Sequence, residues 1–497
     1  MRMDELASLL LTSKRHGSSD AEVEIGGIKI DSRKVVPGDL FICLPGHTVD
    51  GHDYAAQAAE RGAVALVVQR SLPVALPQLI VKDSRLAMAI LGSHYYGYPS
   101  ERLRMIGITG TNGKTTTTYL IERLLADAGR PAGVIGTIEM RYAGRSFPMS
   151  GTTPESLDLQ QALADMASTD TTYCVMEVSS HALEQGRVKG IRYRSAVFTN
   201  LTQDHLDYHQ TMDNYAAAKS LLFSRLGNAY TPEMSERSYS IINADDPYGA
   251  QLAKSSAAEV ITYGIEAEAD VRASNIAISA RGTSFRLETF RGELDVQLRL
   301  VGKFNVANAL AAVATGLAEG LELTQIRDSL EQIAGVPGRV EAVDAGQDYA
   351  VIVDYAHTPD GLDNVLKAVK EIAAGRVICV FGCGGDRDRT KRPIMGRIAA
   401  SHADYMLVTS DNPRSEDPER ILQDIEAGLL ADGVPSSRYA LEVDRREAIK
   451  KAVEMASSDD VVLIAGKGHE TYQIIGSKTF DFDDRQIAEQ LIRSQMP

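Results

Sequence analysis

Thr109-Gly110-Thr111-Asn112-Gly113-Lys114-Thr115-Thr116 decides how the rest of the chain is read. An apolar run, Leu103 to Ile108, enters it and a helical pattern, Thr117 to Ala128, leaves it, so the spacing predicts a strand, a tight loop and a helix. Glycines at 110 and 113 let backbone N–H groups approach phosphate oxygens, Lys114 reaches the β- and γ-phosphates, the Thr115 hydroxyl suits Mg²⁺, and the helix N-terminus adds its dipole. The spacing is not that of a standard Walker loop, which needs glycine at 108 where this chain has Ile108.

Outward from the loop, short apolar runs alternate with amphipathic helices. Leu103 to Ile108, Ala132 to Ile135, Tyr173 to Val178, Ala196 to Thr199 and Ser240 to Asn243 read as buried parallel strands. Ala350 to Val353, Arg376 to Phe381, Tyr405 to Thr409 and Val461 to Ala465 repeat the scheme. Such open sheets bind ligands beyond the carboxyl ends of their strands. Before them, Gly27 to Ile30, Leu40 to Leu44 and Ala63 to Val68 surround a helix near Tyr54 to Arg61. Turn residues at Tyr98-Pro99-Ser100-Glu101 and Gly335-Val336-Pro337-Gly338 divide the chain. The expected fold is therefore α/β in three domains: a small α/β N-terminal domain (1–100), a central P-loop domain with a parallel sheet (101–336), and a C-terminal Rossmann-like domain (337–497).

The bulk numbers fit. A chain of 497 residues is too long for one core, and 44% hydrophobic with 24% charged residues is ordinary for globular domains. A net charge of −15 argues against a nucleic-acid surface. Cys43, Cys174, Cys379 and Cys383 sit in apolar stretches without a C-x-x-C pair, which suits buried thiols in a reducing compartment. Leu6 to Leu11 follows Asp4 and Glu5 and reads as an amphipathic first helix rather than a signal peptide, and no run approaches the roughly 18 apolar residues of a membrane span. No membrane insertion and a cytoplasmic location are expected.

If the loop holds ATP, other strand ends should supply the rest of the site. Glu177-Val178-Ser179-Ser180-His181 places a carboxylate where a Mg²⁺ ligand would stand, and Asn200 to His209 is dense in polar groups for the exit of a buried strand. His205 and His209 have the i,i+4 spacing of zinc ligands, but Leu206 stands where a zinc protease needs Glu, and zinc is rejected. Gly382-Cys383-Gly384-Gly385-Asp386-Arg387 begins like a dinucleotide fingerprint and fails at Arg387, which suggests anion binding. No Asn-Lys-x-Asp is present to read guanine.

Together with Gly302-Lys303-Phe304-Asn305-Val306-Ala307-Asn308-Ala309, Pro337-Gly338-Arg339 and Asp354-Tyr355-Ala356-His357-Thr358-Pro359, these motifs occur in the order found in the Mur ligases, which the chain resembles along all three segments. Those enzymes are ATP-dependent amide ligases that build the peptidoglycan stem peptide. The resemblance implies activation of a carboxylate to an acyl phosphate, attack by an amine, and loss of phosphate from a tetrahedral intermediate. It implies nucleotide contacts from Gly110 to Thr116, with Lys114 on the phosphates, Thr115 and Glu177 on Mg²⁺, and His205 on a second metal. Asn305 and Asn308 would face the nucleotide, Arg339 would meet phosphates after domain closure, and Asp354 would accept from the ribose; alone, the two asparagines read as helix caps. Lys219, in Tyr215-Ala216-Ala217-Ala218-Lys219, matches the family's carbamylated, metal-binding lysine, whereas a lone helical lysine otherwise reads as a solvated face.

The same resemblance assigns a UDP-muramoyl-dipeptide acceptor to Ser32, Thr152, Thr153, Ser179, Gln185 and Arg187, with its uridine end near Ile30-Asp31-Ser32-Arg33 and His47-Thr48-Val49. It points to the branch that adds meso-diaminopimelate to UDP-N-acetylmuramoyl-L-alanyl-D-glutamate, because Asp411-Asn412-Pro413-Arg414 matches that branch, with Arg387, Gly466 and Glu470 as further positions. Diaminopimelate carries a distal carboxylate and ammonium, so Arg414 can fork onto the first while acidic groups meet the second; lysine lacks that carboxylate. A monomer is expected. Alternatives are a lysine-adding ligase, a folylpolyglutamate synthase-like ligase and, from another class, a P-loop ATPase switch.

Overall fold

The computed structural model describes residues 1–17, 23–46, 49–149, 151–228, 230–279 and 282–495. The chain forms two compact units, residues 1–107 with 130–194, and residues 108–129 with 195–497.

In the first unit, strands Gly27–Lys29, Asp39–Ile42, Ala65–Val68 and Gln78–Ile80 run parallel in that order, and Lys14–His16 closes the edge antiparallel. Alternation along the strands fills both faces. Ile28, Leu40, Ile42, Ala65, Val67 and Leu79 pack with Met3, Leu6, Met88 and Leu91, while Phe41, Leu66 and Val68 pack with Ala55 and Ala58. The amphipathic first helix is Met3–Ser8; Leu11 lies beyond it and is 97% exposed. The unit also pairs Tyr173–Glu177 parallel with Ala132–Ile135, which continues into the antiparallel strands Glu139–Tyr142 and Arg145–Pro148. That hairpin turns at Ala143 (φ 48°) and Gly144 (φ 72°), both left-handed as a type I′ turn demands. Ala-Gly is a weaker turn signal than Asn-Gly, so the periodicity alone did not point to it.

In the second unit, residues 195–198 pair parallel with Tyr239–Asn243, which pairs with Glu259–Gly264 and then Val271–Ser279. Gly282–Thr289 and Gly292–Leu298 extend the sheet antiparallel, so it is mixed rather than purely parallel. Their alternating pattern, with Phe285, Leu287, Val296 and Leu298 inward, is that of a sheet with one wet face. Lys303–Ala318, almost entirely buried and rich in alanine, packs closely on Lys114–Asp127. The last sheet has the order Glu341–Ala342, Ala350–Asp354, Val461–Ala465, Val377–Phe381, Tyr405–Thr409, Tyr439–Glu442, parallel except at its first pair. Parallel strands send the loops after Asp354, Phe381, Thr409 and Ala465 to one edge, where such sheets bind ligands. The hairpin Tyr472–Ile475 with Lys478–Asp481 stands outside this sheet.

Candidate functional site

The loop after Arg104–Thr109 is shaped by its glycines. Gly110 and Gly113 lie at φ 153° and 83°, where a Cβ would collide with the Thr199 hydroxyl and the Asn308 amide respectively. Thr111 N–H donates to Asn200 O (2.8 Å), Asn112 N–H to Asn200 Oδ1 (2.9 Å), and the Thr199 hydroxyl to Asn112 O (2.6 Å). Lys114 Nζ lies across the loop on the carbonyls of Gly110 (2.9 Å) and Thr111 (2.8 Å). Thr115 and Thr116 are buried in the helix's first turn, and Thr115 Oγ1 accepts from Arg339 Nη2 at 3.0 Å. The Arg339 guanidinium covers the Tyr355 ring at 4.6 Å. Asp354 accepts from the N–H groups of Val340 (2.7 Å) and Ala356 (2.8 Å); burial raises its pKa against the pull of Arg339. Asn308 Nδ2 donates to Asn305 Oδ1 at 3.3 Å and its Oδ1 faces Gly113, while Asn305 Nδ2 donates to Val301 O at 2.9 Å.

Beneath the loop, helix Met212–Phe223 presents Lys219, which is 1% exposed. Its Nζ donates to Gly110 O at 2.9 Å and lies 4.5 Å above the Tyr215 ring. Burial, and then the Lys114 charge, lower its pKa well below the ordinary lysine value. His205 adopts a left-handed conformation (φ 55°), and its Nε2 is 3.4 Å from the buried Asp204 carboxylate. Burial opposes ionisation of Asp204, but His205, Lys391 and His357 outweigh it and hold its pKa below the usual carboxylate range. Among the described residues no group of three or more His, Cys, Asp or Glu has an arrangement that could hold a metal ion.

In the first unit, the end of strand Tyr173–Glu177 gathers most of the residues assigned to the acyl acceptor. Glu177, 1% exposed, accepts from Thr137 N–H (3.0 Å) and Thr137 Oγ1 (2.8 Å), and the Thr137 and Thr152 hydroxyls are 3.1 Å apart. Thr153 Oγ1 donates to Glu177 O and accepts from Ser179 N–H. Arg187 donates to Thr153 O (3.0 Å) and Gln185 Oε1 (2.8 Å) and pairs with Glu155 at 3.2 Å. Ser32 hydrogen-bonds Gln57 Oε1 at 2.6 Å beside the sheet of residues 27–80. Ile30 follows Gly27–Lys29, and Val49 is 53% exposed; His47 and Thr48 lie outside the described residues.

The remaining assigned residues meet at the edge of the last sheet. Asn412 Nδ2 donates to Glu470 Oε2 at 2.8 Å, and Asn412 Oδ1 accepts from Ile474 N–H at 2.9 Å. Arg414 (φ 52°) donates its N–H to Ile474 O (3.0 Å) and Nη1 to Gly385 O (2.8 Å). Gly466 N–H donates to Asp354 O at 3.0 Å, and a Cβ there would crowd the Asp411 carboxylate. Pro413 is buried between these groups, and Gly385 N–H donates to Asn412 O (2.9 Å). Arg387 is exposed, donating to Asp386 O at 2.9 Å.

Three stretches match family descriptions: residues 24–96 "Mur ligase family, catalytic domain", 108–316 "Mur ligase middle domain", and 338–468 "Mur ligase, glutamate ligase domain". The UDP-N-acetylmuramoyl-L-alanyl-D-glutamate--2,6-diaminopimelate ligase of Bacillus cereus is 50% identical over 473 residues, 95% of each chain. The chain belongs to the Mur ligase family. The Geobacillus thermodenitrificans ligase of the same name is 52% identical over 95% of this chain and 96% of its own. A solved structure of a UDP-N-acetylmuramoyl-L-alanyl-D-glutamate--2,6-diaminopimelate ligase is 34% identical, with TM-score 0.69, covering 100% of this chain and 99% of that one. The Mur ligase three-domain α/β fold is thus shared.

Against that family background, sequence reasoning missed Thr137, Glu155 and Lys467. Thr137 holds both oxygens of Glu177, Glu155 joins Arg187 to Arg85 (2.9 Å), and Lys467 is wholly buried against Glu470. Each is a common residue type whose partners are remote in sequence or hidden by burial, so no local pattern announced it.

Proposed function

We propose that this Mur ligase joins meso-diaminopimelate to UDP-N-acetylmuramoyl-L-alanyl-D-glutamate at the expense of ATP, in cytoplasmic peptidoglycan precursor synthesis. The observation that carries the reading is the meeting of Arg414, Asn412 and Glu470 in one loop cluster of a chain 50% identical to diaminopimelate-adding ligases. Arg414 offers a cationic fork for the distal carboxylate, and the partly buried Glu470 a carboxylate for the ammonium.

The D-glutamyl side-chain carboxylate attacks the γ-phosphorus of ATP, giving an acyl phosphate and ADP. The free amine of diaminopimelate adds to the acyl carbon, and the tetrahedral adduct expels phosphate and loses a proton to yield the amide. The loop of residues 110–116 cradles the phosphates, Lys114 moves from its loop carbonyls onto them, and Arg339 neutralises charge beside Thr115. Asn305, Asn308 and Asp354 place the nucleoside. Thr137 orients Glu177, and Thr152, Thr153, Ser179, Gln185 and Arg187 hold the acceptor, with Ile30, Ser32, His47, Thr48 and Val49 toward the uridine end. The Thr115 hydroxyl and the Glu177 carboxylate are oxygen donors of the kind Mg²⁺ takes while it keeps substrate phosphates as further ligands, and the His205 imidazole would serve a second metal. Bound there, Mg²⁺ would supply charge neutralisation on the phosphates. Lys219, an amine whose neutral form is favoured by burial, is suited to carbamylation by carbon dioxide, which would turn it into an oxygen ligand.

We keep the division into domains 1–100, 101–336 and 337–497 as the functional one, with acceptor, nucleotide and amino acid assigned in that order, and a monomer as the working unit. No described helix is long and apolar enough to cross a membrane. The test is phosphate release from ATP that requires both UDP-muramoyl dipeptide and diaminopimelate and yields a new amide in equal amount. Release independent of either substrate would instead support an ATPase switch, and equal use of lysine would support the lysine-adding branch.

A further inference from the structure

We propose that Lys467 is a positioning residue for the incoming amino acid, fixing the Glu470 carboxylate, the Asn412 amide and the start of the Tyr472–Ile475 strand as one frame. The inference rests on the reading that Arg414, Asn412 and Glu470 receive that amino acid. Lys467 has no exposed surface, so its ammonium acts through protein groups alone. Nζ donates to Glu470 Oε2 at 3.0 Å, to Asn412 Oδ1 at 3.4 Å and to the Tyr472 carbonyl.

The contacts close a triangle. Asn412 turns its oxygen toward Lys467 and Ile474 N–H and its Nδ2 onto the Glu470 oxygen that Lys467 also holds, so the amide has one orientation that satisfies every partner. The strand fixed at Tyr472 O is then laced to the selectivity loop: Gln473 Nε2 donates to Asp411 O (2.8 Å), Arg414 N–H to Ile474 O (3.0 Å), and Gly476 N–H to Arg414 O (2.7 Å). One buried cation thereby connects the group that meets the substrate ammonium with the backbone that aims Arg414. Its charge matters as well as its geometry. Burial and the Asp411 carboxylate raise the Glu470 pKa, and the Lys467 charge pulls against them.

The experiment compares wild type, Lys467→Met and Lys467→Arg in the full chain, measuring KM for diaminopimelate, ATP and UDP-muramoyl dipeptide, and ATP positional isotope exchange with the dipeptide alone. In Lys467→Met, KM for diaminopimelate should rise on the order of 10- to 100-fold, as loss of hydrogen bonds to a charged group implies. The other two constants and the isotope exchange should stay within about threefold, inside which a change is under one such bond. Lys467→Arg, which keeps the charge, should recover part of the affinity. If Lys467→Met does not fold, Lys467→Gln takes its place on the same criteria. An unchanged diaminopimelate KM, a uniform loss for all three substrates, or failure of both variants to fold would overturn the proposal. Failure of wild type to ligate diaminopimelate at all would instead overturn the functional reading on which it rests.

Discussion

Lys219 under the phosphate loop and Arg445 behind the amino-acid loops are both buried cations, and they are treated in opposite ways. Arg445 faces Asp484 with both side chains wholly buried, Nε and Nη2 at 2.8 and 2.7 Å from its two oxygens, and spends further donors on Ser410 O and Ala465 O. Lys219 has a carbonyl and an aromatic face, and among the described residues no carboxylate lies within ion-pair distance of it. A neutralised buried charge ties strand ends together; one left without a counter-charge costs stability and is retained where chemistry uses it. Arg414 sorts with Lys219, since its guanidinium has the Gly385 carbonyl and no acidic partner among the described residues. Lys467, paired with Glu470, sorts with Arg445 as a positioning group.

The contrast breaks most visibly at Asp484. Asp484→Asn strands the Arg445 guanidinium without a counter-charge and should cost about 3–5 kcal/mol, read as a lower urea midpoint at unchanged m. A loss under about 1 kcal/mol, the range of exposed pairs, would remove the structural role of the pair.

Lys219→Met should do the reverse. Turnover should fall by about 10²–10³-fold, the scale of losing one electrostatic stabiliser in an active site, while stability holds or rises. Because the folded-state pKa of Lys219 is lowered, the unfolded chain binds its proton more tightly, and wild type gains stability from this group as pH rises toward 10.5. In bicarbonate-free buffer the stability advantage of Lys219→Met over wild type should therefore shrink as pH rises toward that value. A constant gap across the alkaline range would show that burial of the charged amine is not what separates them.

Arg414→Ala tests the intermediate case. Loss of a charge-assisted fork should raise KM for diaminopimelate about 10- to 150-fold, corresponding to roughly 1.5–3 kcal/mol, and leave ATP and dipeptide constants nearly unchanged. The informative quantity is kcat/KM for diaminopimelate over lysine in both proteins. An unchanged ratio would move selectivity away from Arg414.

These two regions also differ in how far the sequence exposed them. The phosphate loop is contiguous, so glycine spacing, Lys114 and the helix that follows carry its chemistry in a few residues, and its parallel flanking strands are plain in their apolar runs. Arg414 was legible through Asp411-Asn412-Pro413-Arg414, but its frame was not: Lys467 stands in the loop after Val461–Ala465, and Tyr472 and Ile474 are brought in by a hairpin whose strands are short and largely exposed. The Arg445–Asp484 pair joins two helices 39 residues apart, and nothing local distinguishes either from a surface charge. The antiparallel Gly282–Thr289 and Gly292–Leu298 escaped because a run of alternating polar and apolar residues carries less signal than a continuous apolar one.

The smallest expected effect sharpens the comparison where the phosphate loop meets the helix after strand Ala350–Asp354. Thr358 caps Pro359–Ile372, its Oγ1 accepting from Gly361 N–H at 3.0 Å and donating to Asn112 Oδ1 at 3.3 Å; Asn112 Nδ2 reaches Asp360 Oδ2 at 2.7 Å. This junction uses a neutral hydroxyl and amide, so its loss strands no unpaired cation. Thr358→Ala should cost about 1 kcal/mol, the ordinary worth of an N-cap, and Thr358→Ser a few tenths at most because it keeps the hydroxyl. The Asn112 contact adds a second readout: a double-mutant cycle of Thr358→Ala with Asn112→Ala should show coupling of about 0.5 kcal/mol or more if the long hydrogen bond contributes, since separated sites simply add. A cycle that closes to zero would assign the whole cost to the cap and leave Asp360 as the partner that holds Asn112 to the helix.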